Sequence, residues 1–486
     1  MKQNYSSFRS AMRFKRAIGV AALAAALAAC GGGGSNDSVW QFRGINLVSD
    51  APTVQFVIDG AGVETADYGS VTVYHPAHAG SRPLQLAIKN PSDLSGTDQG
   101  YTNIGSAVSS DFQGKTNYNL IATGTIDSPH QYLVSGLSSD TVADNQINYQ
   151  FINAATNTGD VDVLITAPEA GITTAKDLGT VALGAASTAT AVTINPAPGV
   201  ADTDTTTTRT VNITIEIKHA GTTIYQSTAL NFAEQNRLLF VIADNFGPAD
   251  IAPVKVLTVT GTTAQAAAVE LDPAGGSELR FGNLSPDGGA MDLRILDNGA
   301  ADLFAPNVAL GQASTYQLKP ADTYNTIATP AGNAGSYLFV NNFTTVGARS
   351  YTLYAQGDMA DLRGLVIADD RRKVPTEAHF RFLHAAPSQG SSSLDVYVTQ
   401  AGSAFDLTAT IPPIPTAAAV AYLGVSGQFA LKPGTYDVRL AQAGAKTTVL
   451  GPVPLVLTAG MVETVAIDDD SQTGDLTLLP VDDARP

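Results

Sequence analysis

The chain has 486 residues, of which 44% are hydrophobic and 15% charged, so it is long enough for several hydrophobic cores and too apolar for a disordered polymer. Lys and Arg number 27 against 44 Asp and Glu, a formal net charge of −17. That balance argues against nucleic acid and anionic lipid headgroups as partners, keeps the surface soluble and favours attraction of divalent cations.

Lys2, Arg9, Arg13, Lys15 and Arg16 precede the apolar run 17–29, and no acid lies among them. Thirteen apolar residues are too few to span a bilayer as a helix and suit the hydrophobic region of a secretory signal. The run ends Leu27-Ala28-Ala29-Cys30, which resembles the lipobox of bacterial lipoproteins. The resemblance implies removal of residues 1–29 as a signal peptide and acylation of the Cys30 thiol, and two or more acyl chains anchor stably. Cys30 is the only cysteine, so an exported chain has no disulfide framework to claim it; the alternative is an ordinary signal with a chance cysteine. Residues 30–38, with Gly31 to Gly34 and Ser35, make a flexible tether. Gly31 rather than Asp after the cysteine fits an outer-membrane address in a Gram-negative cell, on either its periplasmic or its surface face. No later stretch approaches eighteen apolar residues.

From residue 39 onward one signature returns four times. Asn46 leads through Pro52 to Val54-Gln55-Phe56-Val57, Asn153 to Val161-Asp162-Val163-Leu164, and Asn283 through Ser285-Pro286-Asp287 to Met291-Asp292-Leu293-Arg294. The fourth copy reads Phe382-Leu383-His384-Ala385-Ala386-Pro387, then Leu394-Asp395-Val396-Tyr397-Val398. The anchors Asn46, Asn153, Asn283 and His384 lie 107, 130 and 101 residues apart, the spacing of domains rather than of solenoid repeats. Units 39–145, 146–275, 276–372 and 373–486 follow. Within them the period is two: Val211, Ile213, Ile215 and Ile217 alternate with polar residues, as do Tyr436, Val438 and Leu440. Each unit closes on an apolar strand, at 118–122, 238–243, 351–355 and 462–467. The extra length of the second unit falls in 195–208, where Pro196, Pro198, Gly199 and a threonine run predict an exposed loop. About eight strands are expected in the last unit, starting near His379, Leu394, Phe405, Tyr422, Tyr436, Val449, Met461 and Asp475. The third and fourth units share a turn, Leu318-Lys319-Pro320-Ala321-Asp322-Thr323-Tyr324 and Leu431-Lys432-Pro433-Gly434-Thr435-Tyr436.

The strand, Pro turn and Asp-Val-Tyr-Val strand from Phe380 to Val398, with the Leu-Lys-Pro-Gly-Thr-Tyr turn, resembles the bacterial domain of unknown function numbered 4397. The third unit matches well, and the first two match in pattern. The resemblance implies tandem, secreted or lipid-anchored domains of immunoglobulin-like fold, and it carries over no catalytic or binding residue.

Gly-x-Ser-x-Gly, phosphate-binding glycine loops and His-Glu-x-x-His are absent, so neither a catalytic constellation nor a cofactor is expected. His75 and His78 point to opposite faces of a strand unless Pro76 turns them together, and a solvated loop is the favoured reading. The anchors read as polar residues bonding a neighbouring backbone group at a strand end. Asp162, Asp292 and Asp395, replaced by Gln55 in the first copy, alternate with apolar positions and are expected to face solvent. Asp468, Asp469 and Asp470 are weak candidates for calcium, which takes about six to eight oxygens; a solvated turn is favoured. Trp40 stands alone and the 16 Tyr are spread through strand positions, which makes no sugar platform.

The expected fold is all-β: four tandem immunoglobulin-like antiparallel β-sandwiches. The expected role is a non-catalytic scaffold, adhesion or macromolecule-binding function at the envelope. Its partners would be the membrane, through lipid on Cys30, and another envelope or extracellular macromolecule. A glycan- or calcium-binding module, and an enzyme with an interdomain site, are the alternatives.

Overall fold

The computed structural model describes residues 39–484 except residue 96 and residues 136–141, 197–207, 246–252, 261–266, 298–299 and 411. The signal peptide 1–29, Cys30 and the tether 30–38 lie outside the described residues, as does most of the loop 195–208. The described residues are all-β, with short 3-10 turns at Pro168–Ala170 and Pro387–Gln389.

Alternation makes the strands. Val161–Ala167 and Thr210–His219 bury every second side chain, so Val163, Ile165, Ile213 and Ile215 line one core while polar neighbours face away. In every copy the strands form two sheets over such a core, with the strands in the same order.

The first sheet holds an opening strand: Val39–Val48, Gln146–Asn153, Ser277–Leu284 and Ala378–His384 in the four copies. Beside it, and parallel to it, runs a closing strand: Asn117–Gly124, Arg237–Asp244, Ser350–Gln356 and Val462–Asp469. The closing strand doubles back into an antiparallel last strand, Pro129–Ser135, Val254–Thr260, Arg363–Asp369 or Leu476–Asp482. The second sheet is built from the chain between opening and closing strands. Near its centre lies Val54–Ile58, Val161–Ala167, Met291–Asp297 or Leu394–Gln400. A parallel pair needs a long crossover, and here the whole second sheet is that crossover.

Three expectations change. Four of the described sheets are antiparallel throughout, but the four with opening strands each contain the parallel pair. The strand order also departs from the immunoglobulin one, in which first and second strands share a sheet. Here the second strand pairs with the third strand of its copy and with the fifth or sixth, and alternation alone does not say which distant strands pair. In the last unit Phe405 starts no strand; it lies in a loop against Tyr397, 5.2 Å between ring centres. Tyr422 sits in the turn between Ala417–Val420 and Gly424–Val425.

The shared turn has a specific use. The Tyr436 hydroxyl donates to the Lys432 carbonyl at 2.8 Å, and the Tyr324 hydroxyl does the same to Pro320. Each tyrosine pins the turn that precedes its strand.

Opening and closing strands are buried on both faces, which explains their near-continuous apolar runs. Their second faces pack copy against copy. Ile45, Leu47 and Ile121 of the first copy meet Ile152, Leu239 and Val241 of the second. Leu284, Tyr354 and Ile367 of the third meet Leu383, Ala466 and Val481 of the fourth.

Candidate functional site

The repeated anchor is a backbone clasp. Asn283 is wholly buried; its amide nitrogen donates to the carbonyls of Gly289 (2.8 Å) and Val308 (2.9 Å), and its oxygen accepts from Ser285 N–H (3.1 Å). Asn153 repeats this with Gly159, Val181 and Ala155, and Asn46 with Pro52, Ala66 and Val48. Each clasp ties the opening strand to its own turn and to the second sheet. His384 keeps one such contact, Nε2 to the Ser392 carbonyl at 3.2 Å, and its buried Nδ1 has no partner. Burial lowers its pKa, so the ring is a neutral polar support. The reading of these anchors as strand-end supports holds in all four copies.

The aspartates of the next strand depart from expectation. Asp292 and Asp395 are buried, 3% and 7% exposed, rather than solvated. Asp292 accepts from the backbone N–H of Asn307 (2.8 Å) and Gly332 (3.0 Å); Asp395 accepts from Ala419 (2.8 Å) and Gly444 (3.0 Å). Asn307 and Ala419 have φ of 50° and 49° and lie where the adjoining strand bulges. The bulge and a neighbouring turn cover the outward face at these positions, and the carboxylate satisfies amides that the ladder leaves unpaired. Asp162, half-exposed, accepts from the Thr180 hydroxyl at 2.5 Å.

The acidic run is no solvated turn either. Asp468 and Asp469 end the closing strand and are buried; only Asp470 enters the turn. Asp469 accepts from the Ser388 N–H (2.7 Å) and hydroxyl (2.6 Å), capping the 3-10 turn after the fourth anchor. Asp470 accepts from Gln472 and Thr473 N–H. Asp468 accepts only from Asp469 N–H, and its other oxygen is buried without a partner. The three carboxylates serve different backbone groups and do not converge, and among the described residues no cluster of His, Cys, Asp and Glu gathers for a metal. His75 faces Glu64 at 3.5 Å while His78 is exposed, and Trp40 is buried, stacked on Phe112 with ring centres 3.7 Å apart.

Burial pushes the Asp468 carboxyl up to about 8, reinforced by the Asp469 charge, and Glu463 up to about 7, reinforced by Asp483 and Asp482. Both hold a proton in the folded chain over a range where the unfolded chain has lost it, so stability falls as pH rises from about 4 to about 8. Asp468→Asn is expected to flatten that fall, read as melting temperatures across the range. An unchanged slope would assign the titration elsewhere.

Sequence reasoning missed the polar contact between the third and fourth copies. The residue three before each anchor is Arg43, Gln150, Arg280 or Arg381. Arg280 bonds Thr352 on its own closing strand (2.8 Å) and pairs with Asp483 of the fourth copy. Arg381 bonds Thr464 (2.8 Å) and pairs with Asp369 of the third at 2.5 Å. The contact is reciprocal: each arginine reaches the acid at the end of the other copy's last strand. In the second copy Gln150 stands opposite Leu239. Correspondingly, the contact with the first copy includes a broad apolar cluster.

A cleft of about 360 Å³ opens where the first, second and third copies meet the segment before the fourth, lined by Tyr68, Lys255, Arg349, Asp370 and Arg372 among others. The Lys255 ammonium donates to the Tyr68 hydroxyl at 2.9 Å, and Arg372 lies 4.5 Å from the Tyr68 ring centre. Arg372 also donates to the Ser49 and Ala51 carbonyls, at 3.3 and 2.6 Å, so it ties the copies together across the cleft. Burial, aided by the Arg372 charge, lowers Lys255 to about 8.

The family model for the domain of unknown function DUF4397 matches residues 41–164 and 277–397, the start of each stretch falling in an opening strand. No curated protein matches the chain. Among solved structures it is similar to the Bacillus anthracis TIE protein: 8% identity, covering 89% of this chain and 67% of that one, with a TM-score of 0.15. It is also similar to a streptococcal ancillary pilin at 10% identity, covering 66% and 98%, with a TM-score of 0.14. Likeness at that level carries no weight for fold or function.

Proposed function

This chain belongs to the DUF4397 family, and from that premise we propose a non-catalytic role at the bacterial cell envelope, in which the repeats hold and present surfaces to another macromolecule. The observation that carries this reading is how the repeated polar residues are used. Asn46, Asn153, Asn283, His384, Asp292 and Asp395 are buried and bonded to backbone groups of their own repeats. The motif that invites a catalytic story is structural.

In this reading residues 39–145, 146–275, 276–372 and 373–486 are four domains, each a two-sheet sandwich akin to immunoglobulin domains in layer architecture. Tyrosine hydroxyls bonded to upstream backbone support it: Tyr118 to Gln113 and Tyr351 to Val346, both 3.0 Å, besides Tyr324 and Tyr436. Residues 1–29 serve as the signal peptide and lipid on Cys30 holds the chain at the outer membrane, supported by the 27–30 sequence and the glycines after it.

Two measurements test this. Cys30→Ala is expected to move the protein from the membrane fraction to the soluble one and to abolish lipid labelling; labelling that survives would refute the anchor. Crosslinking in intact cells, followed by pull-down, is expected to trap an envelope macromolecule, whereas reproducible turnover of an envelope substrate by the purified chain would refute the non-catalytic reading.

A further inference from the structure

The first copy breaks the rule that the others keep. Where Asp162, Asp292 and Asp395 stand, it carries Gln55, whose amide makes no hydrogen bond among the described residues. On that outward sheet face the structure holds a shallow groove of about 210 Å³. Val57 and Ala87 lie beneath it, only 6% and 1% exposed, so its accessible apolar surface comes from Pro83, Ala107 and the Tyr101 ring. Its sides are neutral and polar, from Gln55, Gln85, Asn103 and the Tyr101 ring, which is 37% exposed.

The groove is set in place by the backbone. The edge strand Tyr101–Phe112 bulges at Gly105, Ser106 and Ala107, where the register with Gly80–Lys89 slips. Gln85 donates its amide to the carbonyls of Ile104 and Gly105, both at 2.9 Å, which holds it rigid and leaves its oxygen available. Gln55 lies directly over Gly62, where a Cβ would stand 2.3 Å from the amide carbon, so only glycine allows that placement.

We propose that this groove binds a neutral saccharide, one ring of a glycan. Exposed Pro83 and Ala107 beside the Tyr101 ring suit the C–H face of a sugar, and uncharged amides suit its hydroxyls. No ionised side chain lines the groove, which disfavours an anionic or cationic ligand. The volume lies below the range of about 300–1,000 Å³ for drug-sized ligands and suits a single ring. This deepens the binding role proposed above by naming a ligand class for one of its surfaces.

The test is titration of the full chain, by calorimetry and by saturation-transfer NMR, with glucose, galactose, N-acetylglucosamine and their β-linked disaccharides. At least one is expected to bind saturably. Tyr101→Ala should weaken it about tenfold and Tyr101→Phe about twofold or less, since the ring supplies the contact. Gln55→Asp and Gly62→Ala should each weaken it about fivefold or more without lowering the melting temperature, because the groove lies on an exposed face. No saturable binding by any of these sugars, or binding that Tyr101→Ala leaves unchanged, overturns the proposal. If crosslinking still traps a partner with the Tyr101→Ala chain, that failure removes the saccharide site alone and leaves the wider role standing.

Discussion

Asn283→Ala is expected to destabilise the third copy by about 3–5 kcal/mol, a large effect for one side chain. The wild-type amide is wholly buried and answers three backbone groups. Alanine leaves the Val308 carbonyl and the Ser285 N–H buried without this partner, while the Gly289 carbonyl, in an exposed turn, can turn to water. Each orphan costs about 1–3 kcal/mol, and partial relaxation keeps the sum below the maximum. Asn283→Asp is the sharper control. It keeps the size but sets a carboxylate against two carbonyl oxygens, so the loss is largest at neutral pH and smaller in acid, where the carboxyl can donate. Asn283→His borrows the residue of the fourth copy and should fall between. There the turn to the aspartate spans 11 residues instead of 9, a longer reach that the imidazole crosses with a single bond. Hydrogen exchange in Ala300–Val308 together with the urea midpoint reads all three variants.

The second large effect is at the contact between the third and fourth copies. Asp483 is 2% exposed and accepts from Arg280, Thr464 and Arg381. Asp483→Ala leaves two buried guanidinium groups undercompensated, and such a break costs about 3–5 kcal/mol. Asp369→Ala should cost a similar amount, since Asp369 holds Arg381, Thr352 and Tyr316 from the other side. The double variant should lose less than the sum, because the two acids serve one network. The expected signature is loss of amide protection in Ser350–Gln356 and Val462–Asp469 together. Loss confined to the fourth copy would mean that the two copies do not depend on each other.

Much of this was legible in the residues. The four anchors, the closing strands and the pinned turns at Tyr324 and Tyr436 all follow from local pattern and spacing. Non-local pairing was not, because alternation says that a strand has two faces and nothing about what covers the second. That is why Asp292 and Asp395 looked solvated: the bulges that bury them belong to other strands. The same gap hid the copy-to-copy contacts, although an unalternating run such as Ile45, Asn46, Leu47 and Val48 signals burial on both sides. Asp369 and Asp483, at the ends of the last strands of the third and fourth copies, take their role from the arginines of the facing copy, which no local pattern reveals. Gln55 stood out as a departure, but only the sheet showed that a groove lies beneath it.

The parallel pairing of opening and closing strands has an effect on how such a chain can lengthen. Glu278, Ser350 and Asp369 stand in one row across three neighbouring strands, so the beginning and the end of the third copy are two strand widths apart, roughly 10 Å. The first copy has the same row in Phe42, Tyr118 and Ser135. A copy can therefore be duplicated or deleted as a cassette, with a few residues rejoining the chain and no strand left behind. In the two packed pairs, first with second and third with fourth, opening and closing strands of one copy lie against those of the next, so a copy added within such a pair has a sheet face ready to receive it.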